Sequence, residues 1–521
     1  MKPKKSGKAA VRTAAVIDIG SRVVKMRVAQ LRHGEVQTLD QLRYFLPLGH
    51  EVFHTGSISF ATTRELSRIL RGFSETLQGY GITQPMVVAT TALREAKNRS
   101  YVEDQLHVLG GIDVKVLEDD EEKTLIYYSM LGALKKIEKA AKEVSLLTYI
   151  GTGSIGVALY DGAHIVYSQH LPIGSVKLHD VFSGIQDNPE QFHQVIEEYL
   201  ANMLSPLLSF LRDFPVKNLV LCGSEDSIIA RLCGAQEENG CYWIEAERMQ
   251  NLYRTICSMV PEAIGERYGI HEDEAAAVYS ALAIYCCLQP CASEKTVISP
   301  QVELWDELLR EMLLPKAKEA YDAHLCDSAV CCAATIARRF ACDPKHWEMV
   351  SRIALQIFDK TRPIHGLPDR VRLLLQLSAI LHDCGRFVDG SERFRSIFYL
   401  IRNFDLYGLT KEEINLVAVI SGYNELTKPD FSEIKFARTT PAEKLVISKS
   451  VAIFRLANAL DRSGKQKIGD LKIKLDKEKL IITGSGNDNM QLEKWAFEQC
   501  AGFFKEVFGI DPVFHVKLLM L

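Results

Sequence analysis

Two segments of this chain, AAVIDIGSRVVKMRVAQL at 14–31 and SLLTYIGTGSIGVALYDG at 145–162, are built alike. Each is an apolar run, a tight turn of Gly, Ser or Thr, and a second apolar run, the pattern of a β-hairpin whose turn amides are free to point outward. Glycine lets such a backbone come close to a ligand, and successive N–H groups in a turn form a concavity suited to an anion. Two such turns imply two half-domains that grip one phosphorylated ligand between them.

The 521 residues are too many for one core, so a few domains are expected. With 47% hydrophobic and 25% charged residues, the chain is of the folded, soluble class. A net charge of −4 spread over this length implies no basic surface of the size that binds duplex nucleic acid. The longest apolar stretch, AAAVYSALAIYCCL at 275–288, has the length of a buried helix and falls short of the roughly 18–20 residues that span a bilayer. The opening MKPKKSGK lacks the apolar core of a signal peptide, so a cytoplasmic location is the expectation. Thirteen cysteines without C-x-x-C spacing read as buried free thiols rather than as a disulfide framework or zinc ribbon.

Along the chain, strands alternate with helices up to about 305, which argues for layered α/β structure. The early part reads as strand, turn, strand, then GHEVFHTGSIS as a loop, a helix at FATTRELSRILRGFSETLQGYG and a buried strand PMVVATTALREA. The pattern restarts at 145 with three strands in a meander, which supports a duplicated architecture. Apolar positions then take helical spacing in seven successive segments. The tail reads as hairpin, helix and strand. The expected division is 1–130 and 131–305 for two α/β halves, 306–465 for an all-α domain, and 466–521 for a small α+β module.

Asp18 ends the first apolar run, where its carboxylate either faces a metal-bound phosphate or closes its own turn. The acidic run 118–122 precedes an apolar helix; such charges stabilise a helix start, and one of them can instead face a cleft and take a proton from an attacking water. Arg94, after the buried strand, either clamps phosphate or pairs with a neighbouring acid. His382 and Asp383 are adjacent in an otherwise apolar helix, with His346 upstream; they read as a satisfied core pair or as part of a divalent-metal site.

At these residues the chain resembles the exopolyphosphatase and guanosine pentaphosphate phosphohydrolase family, part of the sugar kinase, heat-shock chaperone and actin superfold. The resemblance lies in DIGS, ATTALREAKN, VLEDDEEKTLIY, IGTGSIGVALYDG and HLPIGSVKL, over about 14–305. HDCG, LTKEEINLVAVISGYN and FRLANALDRS resemble the HD-type helical domain of longer members. The resemblance implies duplicated actin-like halves, hydrolysis of terminal phosphoanhydrides of inorganic polyphosphate or guanosine pentaphosphate, magnesium as cofactor, and a homodimer. Carried over by position, Asp18, Gly20 and Ser21 form the first phosphate loop, with Asp18 toward magnesium, and Gly151, Thr152, Gly153 and Ser154 form the second. Arg94 matches a phosphate-binding arginine, and Glu122 matches the glutamate that activates water.

The chain departs from the family pattern at defined places. Ser21, Arg22 and Val23 stand where the family has Ser-Asn-Ser; Tyr149 stands for an aspartate, Thr152 for a glycine and Gly156 for a glutamate. In the helical domain His346, His382 and Asp383 remain, while the family's paired histidines fall at SERFRS, a further one at Asn424 and an aspartate at Asn458. Two readings follow: a phosphohydrolase, or a non-catalytic sensor that binds polyphosphate or nucleotide on the same fold.

Overall fold

Strands made only of apolar residues need cover on both faces, and Ala15, Val16 and Ile17 are completely buried at the centre of the first sheet. The computed structural model describes residues 12–185, 188–386, 393–423, 428–432, 439–486 and 489–518. The chain divides into two compact units, 1–325 and 326–521.

The first unit holds two sheets. One comprises β1 (Arg12–Ile19), β2 (Val23–Arg32), β3 (Glu35–Phe45), β4 (Met86–Ala89) and β5 (Lys115–Val116), in the order β3-β2-β1-β4-β5. The other comprises β6 (Ser145–Ile150), β7 (Ile155–Tyr160), β8 (Ile165–Leu171), β9 (Asn218–Gly223), β10 (Gln236–Glu238), β11 (Cys241–Glu245) and β12 (Thr296–Pro300), in the order β10-β11-β12-β9-β6-β7-β8. In each sheet an antiparallel meander is continued by two strands parallel to its first member, and in the second sheet β11 and β10 then add an antiparallel edge. The path β8-β7-β6-β9-β12 therefore repeats β3-β2-β1-β4-β5, and the duplication is one of topology as well as of sequence. This is the duplicated actin-like α/β architecture.

Helix starts carry their own signals. The helix Phe60–Gly79 is capped by the Ser59 hydroxyl, which accepts from the Thr62 amide, and Glu272–Leu288 begins with a reciprocal cap between His271 and Glu274. The 275–288 stretch is indeed a buried helix. Among the described residues no helix is long and apolar enough to cross a membrane.

Several local expectations are corrected. The first seven residues of GHEVFHTGSIS are helical, within Leu48–Thr55, and only 56–59 remain a loop; Gly56 ends the helix in the left-handed conformation at φ 77°. Strand β3 is a third member of the opening meander, masked in sequence by its exposed, polar character. The buried strand before Arg94 stops at Ala89, and Arg94 lies in a short helix, Thr91–Glu95. Helix Leu304–Leu313 packs on β1 and on the helix Asp119–Leu134 within the first unit, rather than opening the helical part.

In the second unit, helices Pro344–His365, Asp369–Leu381, Lys411–Gly422 and Pro441–Ala459 surround one core. A sheet of β13 (Leu471–Asp476), β14 (Lys479–Gly486) and β15 (Asp511–Leu518), with helix Gln491–Phe508, shares that core through Ile482, Phe497, Phe504 and Phe514. Asn424 and the start of SERFRS lie outside the described residues.

Candidate functional site

The turns that follow β1 and β6 meet. Gly20 N–H closes the first by bonding Val23 O at 3.1 Å, and Gly151 N–H closes the second by bonding Ser154 O at 2.9 Å. Across the gap the Thr152 hydroxyl donates to Ser21 Oγ at 2.9 Å, joining residues 131 apart in sequence. At Gly153, any Cβ would stand 2.3 Å from the Thr91 methyl. The close approach that needs glycine is thus to the other half of the unit, where a ligand was expected. Thr152, a departure from the family pattern, is the residue that makes the bridge.

Strand pairing places Tyr149, Gly156 and His170 in one row on a single sheet face. The first turns of helix Asp119–Leu134 lie against that row. Tyr149 donates to Glu122 Oε1 at 3.0 Å, and Arg94 donates to Glu122 Oε2 at 3.0 Å. Each oxygen of Glu122 keeps a second lone pair, the one a general base needs. Burial, and then the Glu122 charge, push the Tyr149 phenol well above its ordinary range, so it stays a neutral donor.

One residue along, the Lys123 side chain runs over Gly156: a Cβ on Gly156 would be 2.7 Å from Lys123 Cδ and 2.2 Å from the Tyr127 hydroxyl. The space of the family's glutamate is therefore filled from the helix. Lys123 is completely buried and ion-paired with Asp119. Asp119 also accepts from Ser154 Oγ at 2.8 Å, Arg94 at 3.1 Å and His170 Nδ1 at 3.1 Å. Burial alone would raise the Asp119 carboxyl, but the His170 hydrogen bond and the Lys123 charge outweigh it and hold it well below the usual carboxylate range. His170 lies 2.9 Å from Asp120 as well; burial opposes its charge, and the two carboxylates reverse this and raise its pKa. The acidic run does open the helix, with Asp119, Asp120, Glu121 and Glu122 in its first turn. Glu118 is exposed and Glu121 partly so, but Glu122 is buried and Asp119 and Asp120 join it in a partly buried network; Lys123 and His170 were missed because their partners come from different elements.

Asp18, opposite Lys25 across β1 and β2, is half-buried with an Oδ1 that is sealed from solvent and has no hydrogen-bond partner. Burial pushes its carboxyl up to about 7, against the opposing pull of Lys25 and with a further push from Glu122. Asp18, Gly20, Ser21, Thr152, Glu122 and Tyr149 line one cleft of about 850 Å³. Arg94, Gly151, Gly153 and Ser154 do not line it. The Arg94 guanidinium is engaged by Glu122, Asp119, Thr91 and the Leu117 carbonyl. Nucleotide-sized ligands fit clefts of this volume. The orphaned Asp18 oxygen beside Glu122 fits a hard divalent cation, which takes one or two carboxylates and completes its shell with phosphate and water.

In the second unit His382 follows the end of its helix rather than lying within it. Its Nδ1 bonds the Ala379 carbonyl at 2.7 Å and its Nε2 faces His346 Nε2 at 3.2 Å, while His346 Nδ1 meets Asp461 Oδ2 at 2.8 Å. One ligand atom from each of His346, His382 and Asp383 lies within 4.8 Å of the others, spacing that can hold a cation. Asp119, Asp120 and His170 meet the same spacing, but there the Lys123 ammonium already supplies the positive charge.

Fold and cleft together define an actin-like α/β protein with a cleft lined from both of its first two sheets. The chain belongs to the Ppx/GppA phosphatase family, which is matched over residues 27–315, with domain III of the same phosphatases matched over 331–499. The Ppx/GppA family member of Aquifex aeolicus is similar in structure, at 20% identity and a TM-score of 0.50, over 59% of this chain and 99% of that one. An exopolyphosphatase from Cytophaga hutchinsonii is similar at 18% identity and a TM-score of 0.51, over 58% of this chain and 97% of that one. At such identities the likeness is one of fold.

Proposed function

We propose that this chain is a phosphoanhydride hydrolase that releases terminal phosphate from inorganic polyphosphate or guanosine pentaphosphate. The contact between Thr152 and Ser21, which brings the two turns together on the cleft that Glu122 lines, carries the reading. A terminal phosphate seated at Gly20, Ser21 and Thr152 presents its phosphorus to a water held by Glu122. Glu122 takes the proton of that water as it attacks in line. Tyr149 and Arg94 fix the direction of the carboxylate. The HD-type residues His346, His382 and Asp383 serve as scaffold in this reading.

Asp18 would hold a divalent cation, magnesium by the resemblance, which when bound would supply charge neutralisation for the transferred phosphate. The turns contribute hydrogen-bond donors to the same developing charge. A cytoplasmic location and activity below that of relatives with a full carboxylate set accompany this reading.

Phosphate release from long-chain polyphosphate and from guanosine pentaphosphate, by wild type and by Glu122→Gln, tests it. Release by wild type and a fall of at least about 10²-fold in the variant are expected; no release from either substrate at high protein concentration overturns hydrolysis. Tyr149 and Gly156 favour a second reading, a sensor that binds phosphate without turnover. Ligand-dependent thermal stabilisation with no phosphate released would establish it.

A further inference from the structure

The cleft is lined by four basic side chains, and each faces a carboxylate. Lys25 and Arg43 bind Glu303 at 2.5 and 2.8 Å, and Arg27 pairs with Asp306. These pairs are closely made. Arg22 is different: its Nη1 meets Glu225 Oε1 at 3.4 Å, a single long contact, where a well-made guanidinium–carboxylate pair has two bonds of about 2.7–2.9 Å.

The two residues come from opposite sheets. Arg22 sits in the turn between β1 and β2, beside Ser21, and Glu225 sits just beyond the end of β9. Arg22 keeps some exposure to the cleft, whereas Glu225 is 1% exposed, with its Oε2 sealed from solvent and the Ser175 hydroxyl near the carboxylate but not in a close hydrogen bond. A guanidinium has five donors, and this contact uses one. Arg22 also replaces an asparagine of the family pattern in the first phosphate loop.

We propose that Arg22 and Glu225 are an exchangeable ion pair that sets anion affinity in the cleft: an entering phosphate takes Arg22 from Glu225. This rests on the reading of the cleft as a phosphate site. Arg22 supplies the bidentate donor that the substituted loop otherwise lacks, and Glu225 is the countercharge that weak or singly charged anions fail to displace. Because the other three cations are committed to Glu303 and Asp306, affinity concentrates on one terminal phosphate instead of extending along a chain of them. Both are specificity-determining residues, and no covalent step is assigned to them.

The test is calorimetric titration of the full chain with inorganic tripolyphosphate in EDTA, with thermal melting to confirm folding. Glu225→Gln is expected to bind roughly tenfold more tightly than wild type, and Arg22→Ala roughly tenfold more weakly. The double variant should match Arg22→Ala alone, because the gain acts through Arg22. Unchanged or weakened binding by folded Glu225→Gln overturns the proposal, as does a double variant that keeps the gain. If Glu225→Gln does not fold, unchanged affinity of Arg22→Ala overturns it alone. Absence of tripolyphosphate binding by wild type at millimolar concentration overturns it as well. Since binding is read without turnover, a protein that behaves as expected here but releases no phosphate overturns hydrolysis and leaves the ion-pair proposal standing.

Discussion

The Tyr149 hydroxyl donates to Glu122 Oε1 at 3.0 Å, from the strand position where the family resemblance implies an aspartate. A neutral donor thus stands next to the candidate base. Restoring the acid with Tyr149→Asp would crowd a third carboxylate against Asp18 and Glu122. The expected result is a lower melting temperature in EDTA and a magnesium-dependent recovery larger than that of wild type, worth about 1–3 kcal/mol at saturating cation. Equal magnesium shifts in both proteins would refute a cation site here.

Gly156→Glu, by contrast, should not restore a metal ligand. Its Cβ would lie 2.2 Å from the Tyr127 hydroxyl and 2.7 Å from Lys123 Cδ. Overpacking of this kind costs about 1–3 kcal/mol or more. Chemical denaturation should show the loss.

Lys123→Met removes the fully buried ammonium from Asp119. Breaking a buried pair costs about 3–5 kcal/mol, and the Arg94, His170 and Ser154 contacts of Asp119 should hold the loss near the lower end. Lys123→Met/Asp119→Asn should be more stable than Lys123→Met. Urea midpoints of the two variants decide the matter.

The raised pKa of Asp18 has a signed consequence for stability. Between the unfolded value near 3.8 and the folded value of about 7, the folded chain holds a proton that the unfolded chain has released. Stability therefore falls as pH rises through that window and levels off above it. Asp18→Asn removes this cost, so the variant should match wild type near pH 4 and exceed it at pH 8 by at most about 4 kcal/mol. Melting curves at the two pH values, without divalent cation, check the sign; a variant less stable than wild type at pH 8 would contradict it.

What could be read from sequence follows the range of the interactions involved. The hairpins at 14–31 and 145–162 were legible because alternation, turn residues and buried apolar runs are local properties, and their repetition signalled the duplicated fold. Glu122 and Asp18 were legible as candidates because their motifs are contiguous. The helix Leu48–Thr55 was not, since the flanking pattern of Gly49, Gly56 and two histidines reads as a loop and the helix is held on the first turn through Gly49 N–H to Ser21 O at 2.7 Å.

By itself, then, the sequence determined two glycine-bearing hairpin turns, a helical region after them, and a short set of candidate carboxylates and histidines. Only the tertiary structure decided that Thr152 reaches Ser21, that Lys123 fills the space above Gly156, that Arg94 is spent on Glu122 and Asp119, and that Arg22 faces Glu225. The physical reason is that a buried charge is tolerated only where a partner arrives from another element. Strand register and helix packing choose that partner across tens to hundreds of residues, and no local pattern records the choice.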